Sequence, residues 1–451
     1  MVGVSNFRHA QYDAQGIGID DPQSQLGVAG INLATGLLTG VRATSQAKLP
    51  RIGLMGDSIM AQATDYASKR NAAGAISWML ARLGHPWYLP RENNFAVGGT
   101  TTAVMRTSQL PNVLAAHSRA AMGRVFISAG TNDTNSGRSF ADITADLQAI
   151  FEGLLNVGIT PVHHGILPRG NDGAMTAAKL QNLRLNEWME NYAYLRGGLE
   201  FIDCSLAVAN NATAFGNALT ALMDGSVLHP LDNGAFFIGE RLARYYAALG
   251  VGPAIRFASS QADVFDAVNN PSGVVFDNPN PLMQGGTSAP TNMTTSGGTW
   301  SMVTQTLPNG QTKPMASCAL AANATHFLYA DALGPASAAW TGARIATGDW
   351  VYAVAEIELV NCLAIKAVEL RLAENNGSGN VTHGDLVEAT GGTFPSGSSL
   401  TLFTSTPPVQ IRAYAGSGQP SVFVQQRIVT GAGETGTVRV KGFELRKWFG
   451  N

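Results

Sequence analysis

The stretch RIGLMGDSIM, residues 51–60, passes from a short apolar run into a tight polar turn. The first five letters have the length and apolar content of a buried strand, and a helix-compatible pattern follows the turn as far as Leu83. A small residue before the Asp-Ser pair lets the chain turn sharply, so that Ser58 projects at the carboxyl end of the strand. Ligands of parallel sheets bind at that end, which makes the turn the first candidate site.

Strands and helices continue to alternate after this turn. Further strand-like runs are RVFISAG (124–130), ITPVHHGIL (159–167) and LEFIDCS (199–205), with helical patterns between them. We expect Asp232 to cap a final helix that ends near Leu249. The alternation predicts right-handed β-α-β crossovers and a mostly parallel sheet covered on both faces. Residues 48–255 are therefore predicted to form an α/β domain.

The composition changes on both sides of this domain. Residues 1–47 are rich in Gly, Ala and Gln with weak periodicity, and we interpret them as an extended arm or small cap. Residues 256–451 lose the helical pattern and show short β-rich runs, such as WVYAVAEIEL (350–359), between clusters of Gly, Ser, Thr, Asn and Pro. Several short strands at this spacing predict an all-β sandwich or jelly roll.

Charge and cysteine content argue against several classes of protein. The chain has 451 residues, with 29 Lys and Arg against 31 Asp and Glu, so a basic nucleic-acid-binding surface is not expected. No apolar run of roughly 18 residues is present to insert into a membrane. The three cysteines show neither CxxC nor zinc spacing, and we interpret them as buried thiols, with no metal site predicted.

The N-terminus MVGVSNFRHAQYDAQG lacks a basic region followed by an apolar core, so we expect no signal peptide there. Either the chain is not exported by that route, or the numbering starts after a removed segment. Only 13% of the residues are charged, about half the ~25% usual in soluble proteins. A surface built from Gly, Ser, Thr, Asn and Ala favours an extracellular or virion-associated location.

Three later segments follow the Gly56-Asp57-Ser58 turn in a fixed order. They are Asn93–Thr102 with its paired glycines, Gly130–Asp133 after the second strand, and Asp224–Pro230 before the last helix. Together the four segments resemble the signature blocks of the SGNH hydrolase family, also called GDSL esterases and lipases, over roughly residues 50–250. The resemblance implies a three-layer, flavodoxin-like α/β/α fold that needs no metal or organic cofactor.

The resemblance also implies roles for particular residues. Ser58 resembles the nucleophile, and His229 resembles the base that takes the serine proton and later returns one to the leaving group. The oxyanion would be bound by the N–H groups of Ser58 and Gly99 and by the Asn132 side-chain amide. Gly98 replaces Gly99 if the register differs by one residue.

One spacing departs from the family pattern. The orienting aspartate commonly lies three residues before the histidine, where this chain has Ser226, and Asp224 lies five before. Two interpretations stay open: a two-residue insertion still brings Asp224 to His229, or the site is a Ser–His dyad supported by another group. Asp232 lies three residues after His229, and we predict that it caps the following helix and does not orient the histidine.

Other residues near the predicted site are candidates for contact with the substrate. We place Asp57, Gly98 and His164 in this group, although Asp57 also suits a turn, and His163 and His164 also suit a hydrogen-bonded structural role. Alternation in the strand turns the two histidines to opposite faces, so at most one meets the substrate. Arg169, in the following loop, meets an anionic substrate group or is a solvated loop charge.

The C-terminal zone bears a weaker resemblance to jelly-roll carbohydrate-binding modules. It rests on the segment Asn278–Gly286 ahead of Trp300 and on a closing strand that carries Phe443 and Trp448. Such modules stack sugars on exposed aromatic rings. Candidate rings are those of Trp340, Trp350 and Tyr352, with the sandwich core as the alternative place for them.

The leading hypothesis is a serine esterase that removes ester groups, most simply O-acetyl groups, from a surface or extracellular polysaccharide, in an architecture reminiscent of phage-tail proteins. A lipase or thioesterase acting on acyl lipids or small esters is the second hypothesis, because the same site serves both. A non-catalytic glycan-binding adhesin or virion structural protein is the third. The expected partner is the ester substrate, with no nucleic acid or membrane insertion, and a homo-oligomer is compatible with this reading.

Overall fold

The structure is a computed structural model. Its described residues are 49–62, 70–71, 74–170, 175–210, 217–276, 279–306, 310, 312–333, 344–378, 380–388, 397–416 and 421–449, with four two-residue strands before them. Those four strands form two antiparallel pairs: Tyr12–Asp13 with Gly16–Ile17, and Ile31–Asn32 with Leu37–Leu38. The rest of the predicted arm or cap, residues 1–47, lies outside the described residues.

Four parallel strands form the sheet of the α/β domain, in the order β1-β2-β3-β4. They are β1 (Arg51–Gly56), β2 (Met122–Ser128), β3 (Thr160–His163) and β4 (Glu200–Phe201). An irregular segment runs beside β1 at the open edge: the Ile52 N–H donates to the Tyr88 carbonyl, and the Phe95 N–H donates to the Leu54 carbonyl. This segment delivers the paired glycines of the second block to the carboxyl end of β1.

Seven helices of this domain matter for the site. They are α1 (Ser58–Ala61), α2 (Ala75–Leu83), α3 (Leu110–Arg119), α4 (Thr131–Asn135), α5 (Phe140–Leu155), α6 (Ala177–Arg196) and α7 (Asp232–Ala248). A helical turn at Thr102–Val104 and a π-helical turn at Met105–Gln109 lead into α3. None of the helices in the described part of the chain has the length and apolar character needed to cross a bilayer.

The sheet is buried on both faces. Phe126 of β2 packs with residues of α2 and α7 on one side, and Ile127, the next residue, packs with residues of α3, α5 and α6 on the other. Successive side chains of a strand point to opposite faces, so a strand buried on both sides needs a continuous apolar run. The three-layer α/β/α fold predicted from the sequence is confirmed.

Two local expectations about helices are wrong. The pattern between Ile59 and Leu83 does not form one helix: α1 ends at Ala61, and Gly74, in an extended conformation, starts α2. Asp232 does not cap the last helix, because Leu231 takes the N-cap position and Asp232 is the first helical residue. The second error concerns a helix end, where the local pattern is weakest. The first is larger, because the two-residue strand Arg70–Asn71 lies between α1 and α2.

The C-terminal region is all-β, as predicted. Its strands are β5 (Thr294–Ser296), β6 (Thr299–Thr306), β7 (Thr312–Ala319), β8 (Thr325–Leu333), β9 (Trp350–Cys362), β10 (Ile365–Asn375), β11 (Asn380–Glu388), β12 (Gly397–Ser405), β13 (Val409–Gln410), β14 (Ser421–Thr430) and β15 (Thr437–Lys447). One sheet has the order β5-β8-β14-β10-β11 and is extended at β11 by the two-residue strand Arg70–Asn71 of the α/β segment, which pairs parallel with β11. The other sheet has the order β6-β7-β15-β9-β12, with β13 paired to β9. The C-terminal strands pair antiparallel with one another, and β14 alternates strictly between buried and half-buried residues, as a strand facing a core on one side must.

The α/β domain and the sandwich share apolar packing. Trp78 of α2 and Phe236 of α7 belong to the same buried cluster as the inner faces of the sandwich sheets, and their rings meet edge to face with centroids 4.8 Å apart. At the margin of this contact the His85 imidazole is bonded through Nε2 to the Phe403 carbonyl at 3.0 Å. The outer face of α2 and α7 is therefore covered by β-sheet and not by solvent.

Candidate active site

The Gly-Asp-Ser turn holds Ser58 at the first position of α1. Gly56 has φ of +148°, and a Cβ at this position would lie 2.3 Å from the Ser128 carbonyl oxygen, so no other residue fits there. Asp57 is the N-cap of α1, and its Oδ1 accepts a hydrogen bond from the Ile59 N–H at 3.0 Å. Since the first helical N–H groups have no carbonyl partner within the helix, the Ser58 N–H is left for a ligand.

His229 lies within hydrogen-bond distance of Ser58. The Ser58 Oγ and the His229 Nε2 are 2.8 Å apart, and the His229 Nδ1 is 3.0 Å from the Asp224 Oδ2. The three side chains form one continuous hydrogen-bonded series, although Ser58 and His229 are 171 positions apart in the chain. Such a series holds the imidazole in the tautomer that can accept the serine proton.

The two extra residues before His229 form a compact turn. The Asp224 N–H donates to the His229 carbonyl at 2.8 Å, and the Val227 N–H donates to the Asp224 carbonyl at the same distance. Val227 has φ of +51°, a conformation unusual for a β-branched residue. This turn brings Asp224 onto the imidazole, whereas Ser226 contacts the carboxylate: its Oγ donates to the Asp224 Oδ1 at 2.7 Å.

The Asp224 carboxylate is held in its ionised form. Desolvation opposes ionisation, but hydrogen bonds from the Ser226 hydroxyl, the Leu228 N–H and the His229 ring and N–H outweigh it and keep the pKa of Asp224 well below its usual range. The carboxylate is thus a permanent acceptor next to His229 at neutral pH.

Asn132 and the paired glycines border the same space. The Asn132 Nδ2 donates one hydrogen to the Thr100 carbonyl at 3.0 Å, which fixes the amide and leaves its second hydrogen available. Gly98 lies against Ser58: a Cβ added to Gly98 would be 3.7 Å from the Ser58 Cβ. Gly99 has φ of +77° and open space where a side chain would be, so backbone and ligand can approach closely there.

A buried network behind Asn132 ties the glycine loop to α4. The Asp133 carboxylate accepts hydrogen bonds from the N–H and hydroxyl of Thr102 and forms an ion pair with Arg138 at 2.5 Å. Arg138 also bonds Asp146 of α5 at 2.8 Å. Asp133 is fully buried, so its role is to join these segments and not to carry protons to a substrate.

Gln109 is a site residue that no sequence motif singled out. Its side-chain amide makes two hydrogen bonds of 2.8 Å to the backbone of Gly56, one as donor and one as acceptor. The same amide contacts the Thr100 hydroxyl at 3.2 Å. Gln109 ends a π-helical turn, a feature frequent at functional sites. It therefore connects the strand end before Ser58 with the loop that contains Gly99.

Asp57 is not placed to bind substrate, contrary to the prediction. Its side chain is only 1% exposed and is directed inward, where the Ser128 hydroxyl donates to the Oδ1 at 3.1 Å. Desolvation by burial raises the pKa of Asp57 to about 6, against lowering contributions from the Ile59 N–H and Ser128. The carboxyl group is a helix cap whose ionisation is costly.

We expect the effect of Asp57→Asn on the free energy of unfolding to depend on pH, because the substitution removes the carboxyl group whose ionisation is costly. Because the folded pKa is raised, Asp57 contributes stability below its unfolded pKa of about 3.9, and this contribution is lost as the pH rises through about 6. The free energy of unfolding of the variant, minus that of the wild type, should increase by about 3 kcal/mol between pH 4 and pH 7. Asparagine keeps the cap acceptor, and its unpartnered amide adds an offset that does not vary with pH.

Thermal midpoints of the two proteins across that pH range measure the difference. Asp266→Asn is the control: hydrogen bonds from Asn269 and Val268 lower the pKa of this exposed carboxyl, so its variant should change in the opposite direction. A pH-independent difference for Asp57→Asn would contradict the assignment.

The histidine pair is also buried. His164 is 2% exposed and borders a cavity of about 20 Å³ with Met60, Ile76 and Ile238. The His163 Nε2 is bonded to the Ala129 carbonyl at 3.3 Å. Burial lowers the pKa of His163 to about 3 and that of His164 to about 4. Both rings are therefore neutral core groups, and the predicted contact of His164 with substrate is not supported, because His164 lies directly after β3 with its ring buried in the interior.

The aromatic candidates of the sandwich have different surroundings. Trp340 lies outside the described residues. Trp350 is 46% exposed at the start of β9. Tyr352 is half-buried and packs edge to face with Trp448, with ring centroids 5.4 Å apart. It does not belong to the sandwich core, which contains its neighbours Val351 and Ala353. Of the two candidates among the described residues, Trp350 is the one with a solvent-exposed side chain.

A cleft of about 270 Å³ opens beside Asn132. Its described wall is mostly polar: Thr131, Asn132 and Asn135 from α4, Arg169, Gly170, Thr176 and Lys179 around the start of α6, and Ser226, Val227 and Leu228 from the histidine turn. The cleft thus joins the predicted oxyanion donor to the loop that carries the catalytic candidates Asp224 and His229. It provides room for a polar substrate group beside Asn132 and the histidine turn.

Comparison with protein families finds a similarity in the α/β domain. Residues 54–235 match the family model of the GDSL-like lipase/acylhydrolase family. This segment is therefore similar to GDSL-like lipases and acylhydrolases. The match runs from β1 into α7, so the matched segment contains Ser58, Gly99, Asn132, Asp224 and His229.

Solved structures with similar folds are distant in sequence. A member of the lipolytic G-D-S-L family from Veillonella parvula DSM 2008 is 19% identical, with 44% of this chain and 98% of that chain covered at a TM-score of 0.34. A GDSL-like lipase from Bacteroides thetaiotaomicron VPI-5482 is 17% identical, with 45% and 90% covered and a TM-score of 0.32. A carbohydrate esterase family 3 protein from Talaromyces cellulolyticus is 14% identical, with 44% and 97% covered and a TM-score of 0.32. Comparison with curated proteins gives no match.

Proposed function

We propose that the protein is a serine esterase that removes O-acetyl groups from a surface or extracellular polysaccharide through an acyl-enzyme. The observation that carries the proposal is the hydrogen-bonded series from the Ser58 Oγ through the His229 imidazole to the Asp224 carboxylate. A nucleophile, a base and an orienting group at these distances are what acyl transfer from an ester needs.

In the acylation step the Ser58 Oγ attacks the carbonyl carbon of the ester. The His229 Nε2 takes the serine proton, and the Asp224 carboxylate stabilises the imidazolium that results. The negative charge on the carbonyl oxygen is met by the N–H groups of Ser58 and Gly99 and by the free hydrogen of the Asn132 amide. Collapse of this intermediate breaks the bond to the sugar oxygen, which leaves with the proton from His229.

Deacylation repeats the same chemistry with water as the nucleophile. His229 takes a proton from the water, whose oxygen attacks the acyl-enzyme carbonyl, and then returns that proton to the Ser58 Oγ as acetate leaves. The buried Asp133 network and Gln109 keep the oxyanion donors in place through both steps, so little reorganisation accompanies the change in charge.

The polar cleft supports a sugar in preference to a long acyl chain. Its described wall is lined mainly by side chains with hydroxyl, amide or cationic groups, which suit the hydroxyls of a glycan, whereas an acyl chain needs apolar walls. The half-exposed Trp350 ring supports sugar binding by the sandwich. Both features favour an extracellular or virion-associated polysaccharide over an acyl lipid.

Acetate release from a panel of acetylated polysaccharides tests this function, with aryl esters of two, four and eight acyl carbons measured in parallel. We expect acetate release from at least one polymer and a kcat/KM that falls with acyl length. A kcat/KM that rises with acyl length, without acetate release from any polymer, would instead support the lipase or thioesterase alternative.

Replacing Asn132 tests the oxyanion site within this proposal. Removal of one such donor typically lowers kcat by 10²–10³-fold, so we expect that loss for Asn132→Ala on an aryl acetate, with KM little changed. Asn135→Ala is the matched control, because it truncates an asparagine of the same helix that lines the same cleft. A change confined to KM would show that Asn132 binds the ground state and not the transition state.

A further inference from the structure

Two cationic residues border the cleft beside Asn132, whose described wall contains neither Asp nor Glu. Lys179 is buried, and its Nζ donates to the Asn217 Oδ1 at 2.6 Å, so Arg169 is the cation that we consider for a ligand. Thr176, which also lines the cleft, is the N-cap of α6, so the N-terminus of a 20-residue helix borders the same space. Aligned peptide dipoles make such a helix end attractive to anions.

Arg169 is held at this place by the two segments that flank the site. Its Nη2 donates to the Asn135 Oδ1 at 2.8 Å, and its Nη1 is 3.4 Å from the carbonyl oxygen of Thr131, the residue before Asn132. The next residue, Gly170, donates its N–H to the carbonyl of Val227 in the histidine turn at 3.0 Å. The guanidinium therefore has a defined position between α4 and the turn that carries His229.

Within the described residues, the charge of Arg169 is not matched by a counter-charge. Its hydrogen-bond partners in the described part of the chain are neutral oxygens, whereas Arg138, close by, meets the carboxylates of Asp133 and Asp146. Partial burial lowers the pKa of Arg169, which reflects the cost of holding a cation away from water. A guanidinium has five N–H donors, so several remain for a ligand.

We propose that this cleft binds the carboxylate of an acidic sugar, so that the ester presented to Ser58 lies on a uronic-acid type of residue in the polymer. The inference rests on the proposed esterase function. The planar fork of a guanidinium matches a carboxylate, and the start of α6 adds attraction of the same sign. A neutral sugar would bring no counter-charge to Arg169, for which the described residues supply none.

The test measures binding in the Ser58→Ala protein, so that no turnover is required. Galacturonate, glucuronate and mannuronate are titrated at low salt, each against its neutral parent galactose, glucose or mannose. We expect at least one acid to bind 10- to 100-fold more tightly than its parent, as a hydrogen-bonded charge pair allows, and the preference to weaken as salt is added.

The same titrations in Ser58→Ala/Arg169→Gln should lose most of the preference for the acid over its parent, and Arg169→Lys in the same background should retain more of it. Arg244→Gln is the matched control, because it removes the same charge from an exposed position on α7. Thermal midpoints establish that each variant is folded. The proposal is overturned if no acid is preferred, or if the preference survives Arg169→Gln. Failure of ester hydrolysis by the wild type is a separate outcome, since the binding measurement does not depend on it.

Discussion

Ser58→Ala should lower kcat for an aryl acetate by about 10⁶-fold, the loss seen when a serine hydrolase is deprived of its nucleophile. Without the Oγ no acyl-enzyme forms, and the oxyanion donors alone support only slow attack by water. The lost hydrogen bond to His229 is worth about 1 kcal/mol, so the thermal midpoint should change by no more than about 3 °C. Initial rates and a thermal scan of the purified variant measure both.

Ser118→Ala is the control for this experiment, because it removes an exposed serine hydroxyl that bonds only to its own helix. It should leave the rate unchanged. A serine-directed phosphonate should label Ser58 alone in the wild-type protein. Turnover by Ser58→Ala above about one per cent of the wild-type rate would exclude Ser58 as the nucleophile.

Asp224→Asn is expected to lower kcat by about 10⁴-fold, as loss of the orienting carboxylate does in serine-protease triads. The substitution keeps the size of the side chain but removes the charge that stabilises the imidazolium, and it offers His229 a donor in place of an acceptor. The rate of acetate release from an aryl acetate, measured at neutral pH, checks this expectation.

Ser226→Ala is the matched control, since Ser226 touches the same carboxylate. It removes one of the hydrogen bonds to Asp224 but leaves the bonds from the Leu228 and His229 N–H groups. The carboxylate should stay ionised, and kcat should change by a few-fold at most. If Asp224→Asn keeps near-full activity while Ser58→Ala does not, the site works as a Ser58–His229 dyad.

The alternation of apolar strands with helical patterns was sufficient to predict the α/β layers, and the strand spacing was sufficient to predict the β-sandwich. Both are periodic properties of the local sequence and need no knowledge of which strands become neighbours. Helix ends were predicted less well, as at Gly74 and Leu231, because capping depends on contacts outside the helix.

The candidate site was predicted where a short motif carries its own geometry. Gly-Asp-Ser stands here between an apolar strand pattern and a helical pattern, which predicts a strand-to-helix turn, and the polar blocks fall at strand ends that a parallel sheet must bring together. Asp57 and His164 were misplaced as substrate contacts because the sequence shows that they lie near the site but not that burial removes them from the solvent side.

By itself, the sequence determined the layer architecture and the order of the blocks that hold Ser58, Asn132 and His229, because these follow from local periodicity and local turns. Only the tertiary structure decided that Asp224 folds back onto His229, since this depends on a turn with Val227 at positive φ. The tertiary structure likewise decided the two hydrogen bonds between the Gln109 amide and the Gly56 backbone. It also placed Arg169 in the cleft. Each joins residues from different elements, and such contacts arise from the packing of the elements and not from the sequence around either residue.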